Sequence, residues 1–365
     1  MPRALHLAEP QSLVAALLAA GYRVIGPQPA QGAITYAEIA APEALPQGLT
    51  DAQEPARYRL VEGDPGRWFD YVVGPQSWKK WLFPARQKLF SADRGADGFA
   101  ITPQCDDWPK TAFFGVRPCE IAAMQIQDRV FDNGSFADPG YGARRAATLI
   151  VAVNCARAAE TCFCASMNTG PRAEAGFDLA LTELTTGTGL LLEIGSDQGA
   201  ALVAPLGLAA ATESQIAEAR AANAAAAAAQ TRAMPEGIAE TLQANPDHAQ
   251  WDDVAARCLG CANCTLACPT CFCTDVEEVT DLSGDHAERW RTWDSCFSID
   301  FAYVHGGSVR RSAKSRYRQW MTHKLSAWLD QFGSSGCTGC GRCIAWCPVG
   351  IDIVAEAHAL STPEA

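Results

Sequence analysis

The feature that most constrains this chain is a cysteine run that occurs twice. It reads Cys258-x-x-Cys261-x-x-Cys264-x-x-x-Cys268-Pro269 and again Cys337-x-x-Cys340-x-x-Cys343-x-x-x-Cys347-Pro348. The first three thiolates of each run sit on one tight loop and can cap three corners of one cubane. The fourth, three residues on and followed by proline, lies too far round to join them. It is released toward the neighbouring cluster, so two such runs cross-ligate a pair of 4Fe–4S clusters. Structural zinc also favours Cys-x-x-Cys, with four ligands per site. Zinc gives no reason for a repeated eight-cysteine pattern with proline after each last cysteine. The spacing therefore points to two 4Fe–4S clusters held by these eight residues.

At 365 residues and 48% hydrophobic content the chain has material for more than one domain. A formal charge of −12 argues against nucleic acid as a partner. Sixteen cysteines spaced as thiolate ligands call for a reducing compartment. The apolar stretch 13–20 is short and follows Glu9 and Pro10. It reads as a helix with proline near its first turn and Gly21 at its end, not as a signal peptide. No apolar run approaches the ~20 residues of a membrane span. These features together predict a cytoplasmic protein.

Up to residue 205 the pattern is mixed α/β. Strands are expected at 22–26, 98–102, Thr111–Val116, Thr148–Val153 and Leu190–Ile194, short apolar runs punctuated by Gly, Pro and Asp as in buried strands. A helix is expected to begin at Pro118, with Ile121, Met124 and Asp128 on successive turns. No Gly-rich phosphate loop marks a nucleotide or flavin site. Residues 212–233 are Ala-rich, with Thr212 and Gln215 as a capping box and Pro235 and Gly237 as the stop. They form a helical linker within 206–234. Beyond it the chain reads as small helices wrapped on clusters, with a helix over 252–257 and another over 312–332. About seventy residues separate the runs. That favours a helical, ferredoxin-like module over a compact β-rich one. The expected fold class is α+β: a mixed α/β domain over 1–205, the linker, and a mostly helical two-cluster domain over 235–365.

Eight further cysteines need an account. Cys119 follows Arg117-Pro118 at a helix start, where the helix N-terminus and the arginine are expected to lower its thiol pKa. Cys155 follows a strand, and Cys162-Phe163-Cys164 comes next. These four are the candidate ligands of a third 4Fe–4S cluster, provided Cys162-x-Cys164 lies in a shaped loop; the competing reading is ordinary buried cysteines. Cys271, Cys273 and Cys296 fit alternative ligands, a further metal site or packing alike. Cys105, in a polar loop, reads as a bystander. The six histidines lack metal-ligand spacing, and no catalytic residue stands out.

The segments Phe114-Gly115-Val116-Arg117-Pro118-Cys119, Asn154-Cys155 with Cys162-Phe163-Cys164, Cys268-Pro269-Thr270-Cys271-Phe272-Cys273, Ser315-Arg316-Tyr317-Arg318 and Gly339-Cys340-Gly341-Arg342-Cys343 resemble one family. It is the 4Fe–4S dicluster family that includes the beta subunit of cytoplasmic NiFe hydrogenases (sulfhydrogenases) and the iron–sulfur subunit of anaerobic sulfite reductase. The resemblance implies an iron–sulfur electron-transfer subunit between a flavin subunit handling NAD(P)H and the catalytic subunits of a hetero-oligomeric complex. A NiFe hydrogenase module is the favoured partner. Delivery of electrons to sirohaem in a sulfite reductase is the alternative, and an iron–sulfur sensor is a third reading with no effector module in support. The basic stretch Arg310, Arg311, Lys314, Arg316, Arg318, His323, Lys324 fits cluster tuning, partner docking or a solvated face. Tuning by Arg310, Lys314 and Arg318 is the expectation, because Tyr317, Trp320 and Trp328 interleave with the charges.

Overall fold

The computed structural model describes residues 3–104 and 107–362; Cys105 lies outside the described residues. The chain begins β1 (Ala4–Leu7), α1 (Pro10–Ala19), β2 (Arg23–Ala30), β3 (Ala33–Glu38), the hairpin β4 (Leu49–Glu54) and β5 (Arg57–Glu62), and the single turn α2 (Lys79–Leu82). It continues through β6 (Arg86–Gly95), β7 (Gly98–Pro103), β8 (Thr111–Val116), α3 (Pro118–Phe131), α4 (Pro139–Ala146), β9 (Thr148–Val153), β10 (Leu179–Glu183), β11 (Leu190–Ile194), α5 (Asp197–Val203) and α6 (Glu213–Ala228). The remainder is α7 (Ile238–Ala244), α8 (Gln250–Arg257), α9 (Asn263–Leu266), β12 (Thr274–Thr280), β13 (His286–Trp293), α10 (Ala313–Thr322), α11 (Trp328–Phe332), α12 (Arg342–Ala345) and α13 (Ile353–Leu360). The fold class is α+β.

Seven strands form one sheet in the order β1-β11-β10-β9-β8-β2-β3. Its centre is parallel, and both edges are antiparallel. Strands β8 and β9 are buried at every position, which is why they read as unbroken apolar runs. The register of β8 slips between Phe114 and Val116. Gly115 permits that bulge at φ +88°, and a Cβ there would meet Pro27 Cδ at 3.1 Å. The bulge turns the strand into Arg117, the N-cap of α3. Cys119 and Cys155 therefore leave from the carboxyl ends of neighbouring parallel strands, where open α/β sheets place their ligands.

A second, antiparallel sheet has the order β12-β13-β6-β7 and so takes strands from both sides of the Ala-rich segment. Strand β7 is exposed along its whole length. Residues 98–102 are thus a strand, but an edge strand in the open and not a buried one. Helix α6 has both halves of the Thr212–Gln215 capping box. It ends at Ala228, short of the expected stop, and the released Gln230 turns toward residues 164–165.

After the linker, α8, α10 and α13 enclose a core of Trp251, Tyr317, Trp320, Met321, Leu325 and Ile353, with cysteines of both runs at its border. The helix expected over 312–332 is continuous in α10 and α11, joined by a π-helical turn at His323–Ala327. Between the runs the structure also contains β12 and β13, where the sequence reading expected helices alone.

Candidate metal centres

The two runs exchange their last cysteines. Cys258, Cys261 and Cys264 line a cavity with Cys347, beside Phe297 and Tyr317. The thiols acting most strongly on Cys264 are Cys258, Cys347 and Cys261, in that order. Cys268 faces the other run instead: Cys337 and Cys340 both have it as a close neighbour, and Cys343 is acted on by Cys337, Cys340 and Cys268. Glycines open the loops so that backbone amides reach sulfur. Gly260 N–H donates to Cys258 Sγ and Gly339 N–H to Cys337 Sγ, both at 3.4 Å, and Ile351 N–H donates to Cys347 Sγ at 3.3 Å.

Cys119, Cys155, Cys162 and Cys164 converge on a separate cavity, together with Arg117, Gln230, Cys340 and Arg342. Arg117 Nη1 lies 3.8 Å from Cys155 Sγ, while its Nη2 donates to the Phe69 and Tyr71 carbonyls at 3.0 and 2.7 Å. Gln230 Nε2 donates to Cys164 Sγ at 3.3 Å. The loop around Cys162–Cys164 is shaped by the second run: Phe163 N–H donates to Gly339 O at 2.9 Å, and Thr169 Oγ1 to Thr338 O at 2.6 Å. The fit requires Gly341, where a Cβ would stand 2.4 Å from Thr161 O.

The expected lowering of the Cys119 pKa is not what the structure gives. Burial, then Cys340 and Cys164, push its thiol well up, and the Arg117 guanidinium serves Cys155. The same causes act elsewhere. Burial and neighbouring thiols raise Cys264 and Cys343, and burial takes Cys337 and Cys164 to about 12. Such thiols become thiolates only with cationic compensation, which a metal cluster supplies. Cys268 is the exception. A hydrogen bond from Cys271 lowers it well below the ordinary thiol, with the Lys324 ammonium 3.3 Å away adding to the effect.

The basic stretch divides. Lys314 pairs with Asp252 at 2.8 Å and Arg318 with Asp247 at 3.5 Å, so both brace α10 against the segment before and within α8. Arg310 lines a cavity with Cys271, Cys273 and Cys296. The cations that act on run thiols are Arg316, toward Cys258, and Lys324, toward Cys268. The inward-facing trio expected from helical spacing is therefore not the group that reaches the sulfurs.

Among the described residues no three His, Cys, Asp or Glu side chains close on a single metal ion. The thiols instead stand round cavities, as a larger polynuclear group requires. Tyr317 Oη and Trp320 Nε1 are buried without a partner, and both residues line the first cavity. Orphaned donors of this kind suit a bound group carrying acceptor sulfurs.

A family model described as "4Fe-4S dicluster domain" matches residues 257–351, which contain both runs. The chain is also 32% identical over 280 residues to sulfhydrogenase 2 subunit beta of Pyrococcus furiosus, a match covering 76% of this chain and 80% of that protein. The chain belongs to the 4Fe–4S dicluster family of sulfhydrogenase beta subunits. As a dicluster protein it binds 4Fe–4S clusters, and the donor sets above fit them in residue type, grouping and hydrogen bonding. Sequence reading missed several partners of these sets in the dicluster protein. Lys79 and Glu120 carry no motif. Arg342, although it sits inside the second run, gives no sign of being buried. Among the described residues no helix is long and apolar enough to cross a membrane.

Proposed function

We propose that the chain is the iron–sulfur electron-transfer subunit of a multi-subunit oxidoreductase of the cytoplasm. It relays electrons between a flavin subunit that handles NAD(P)H and a NiFe hydrogenase module. In this reading Cys258, Cys261, Cys264 and Cys347 ligate one cluster, and Cys337, Cys340, Cys343 and Cys268 the second. Cys119, Cys155, Cys162 and Cys164 ligate a third. A 4Fe–4S cluster supplies one-electron transfer and no substrate chemistry of its own. The protein's residues set spacing, insulation and charge.

The observation that carries the reading is the sequence of contacts between sets. Cys264 of the first set acts on Cys343 of the second, and Cys340 of the second acts on Cys119, Cys162 and Cys164 of the third. The three sets follow one another without a break. At one end Cys261 is exposed, flanked by the exposed apolar side chains Leu259, Leu266 and Val349. An apolar rim around an exposed ligand suits docking of a redox partner.

The test is anaerobic purification of the native complex, identification of its subunits, and assay of hydrogen-dependent NAD(P) reduction beside sulfite-dependent NAD(P)H oxidation. Hydrogen-dependent turnover and about twelve irons in this subunit support the reading. Turnover with sulfite alone would assign the chain to a sulfite reductase, and iron near four would remove the relay.

A further inference from the structure

Cys271, Cys273 and Cys296 lie outside the three sets, yet the fold brings them together. Phe272 turns into the core against Phe131, Trp328 and Phe332, and its neighbours Cys271 and Cys273 line one cavity with Cys296. Asp294 N–H donates to Cys273 O at 2.9 Å, which holds the Cys296 segment against that loop, and the Cys273 and Cys296 thiols are in hydrogen-bond contact. The cavity measures about 280 Å³, against about 30 and 20 Å³ at the first and third sets. It reaches the surface at half-exposed Phe301, and Arg310, Gln319 and His323 share its wall.

Two buried lysines mark the charge this site is built for. Lys324 Nζ lies 3.4 Å from Cys271 Sγ and 3.3 Å from Cys268 Sγ. Cys268 alone would account for Lys324. It does not account for Lys79, which α2 sends in from the other half of the chain. Lys79 is 4% exposed. Its Nζ meets the carbonyls of Thr265, Leu266 and Cys271 at 3.5, 3.5 and 3.2 Å, and the Trp293 ring at 4.0 Å. Among the described residues no carboxylate pairs with it. A buried ammonium without a counter-ion is costly, so a second buried cation on the same loop calls for more negative charge than one thiolate provides.

We infer that Cys271, Cys273 and Cys296 bind a further iron–sulfur cluster at three of its corners, with the fourth corner facing the cavity walled by Arg310, Gln319 and His323. No fourth cysteine completes it, because Cys268 is turned to the second run. The site stands beside the line of three sets, touching the second through Cys271–Cys268 and the first through Cys296–Cys264. The open corner and the cationic wall suit a small anionic ligand. The inference rests on the chain's iron–sulfur chemistry and not on the direction or partners of the relay.

The test compares the full-length wild-type chain, purified anaerobically, with Cys273→Ser/Cys296→Ser. The expected difference is about four irons per chain, whatever the total, with the wild-type signals of the remaining clusters retained. Mössbauer spectra of ⁵⁷Fe wild type should contain one cluster with one iron distinct from its three partners. Cyanide should shift an EPR signal of the wild type that the variant lacks. Equal iron in both proteins would overturn the inference, as would a Cys273–Cys296 disulfide peptide from the anaerobic wild type. Loss of all signals in the variant would leave the wild-type Mössbauer result to decide: four equivalent irons in every cluster refutes the open corner. Failure of the relay itself would appear as lost turnover with this iron difference intact.

Discussion

Arg342 Nη2 donates to Glu120 Oε1 at 2.8 Å, and this buried pair ties the second cysteine run to the helix that carries Cys119. Arg342 also donates to Gly74 O at 2.9 Å, and Tyr36 donates to the other Glu120 oxygen. Glu120→Ala strands a buried guanidinium and should cost about 3–5 kcal/mol. Glu120→Leu/Arg342→Met, which removes both charges, should cost less than either single change. Urea unfolding of the iron-loaded proteins checks this; equal losses in all three variants would show that the pair is not coupled.

The exchange of last cysteines predicts a crossed phenotype. Cys347→Ala should perturb the cluster of Cys258, Cys261 and Cys264, and Cys268→Ala that of Cys337, Cys340 and Cys343. Each should lose up to about four irons, and EPR of the single variants identifies the survivor. A defect confined to the mutated run would refute cross-ligation.

Lys324 stabilises the more reduced, more negative state of whatever its neighbouring sulfurs bind. Lys324→Met should therefore lower a midpoint potential. With an effective dielectric near 20, one charge at this range is worth on the order of 100 mV. An EPR-monitored redox titration measures it, and an unmoved potential would restrict Lys324 to bracing the loop through Thr270 and the Gly336 carbonyl.

At the far end of the second sheet the His286 ring meets Asp93 at 2.6 Å and Glu288 at 3.5 Å. Hydrogen bonds to Asp93 and then Glu288 raise its pKa above 6.5. A raised histidine contributes stability that is complete below the unfolded value near 6.5 and is lost as pH rises through the folded one. Amide exchange at the β6–β13 end should therefore accelerate as pH climbs past 6.5, beyond its intrinsic pH dependence. In Asp93→Asn that excess should shrink, and a histidine-labelled NMR titration should place His286 closer to 6.5.

What could be read from the sequence was set by how local each constraint is. Strands β8 and β9 are visible because both faces are buried. Strands β12 and β13 are not, since ion pairs such as Lys88–Glu288 and Arg86–Glu277 stand where apolar alternation would have signalled a sheet. The cysteine runs announce themselves through spacing within one loop. The grouping of Cys119 with Cys155 depends on β8 lying beside β9, a pairing no spacing encodes. The Cys119 pKa expectation failed for the same reason: the sequence reveals a helix start but not its depth. Lys79 and Lys324 are illegible because a lysine is ordinarily a surface residue, and only the assembled fold buries one.

The loop that frames Cys162 and Cys164 leans on Thr338, Gly339 and Gly341, residues made long after it. During synthesis those thiols emerge early and wait without their lid while roughly half of the chain is still to come. The earliest ligands to leave the ribosome are thus among the last to be shut in, and their loading with iron has an intrinsic window that closes when the second run docks. Timing of metal delivery is written into the fold as a matter of vectorial assembly.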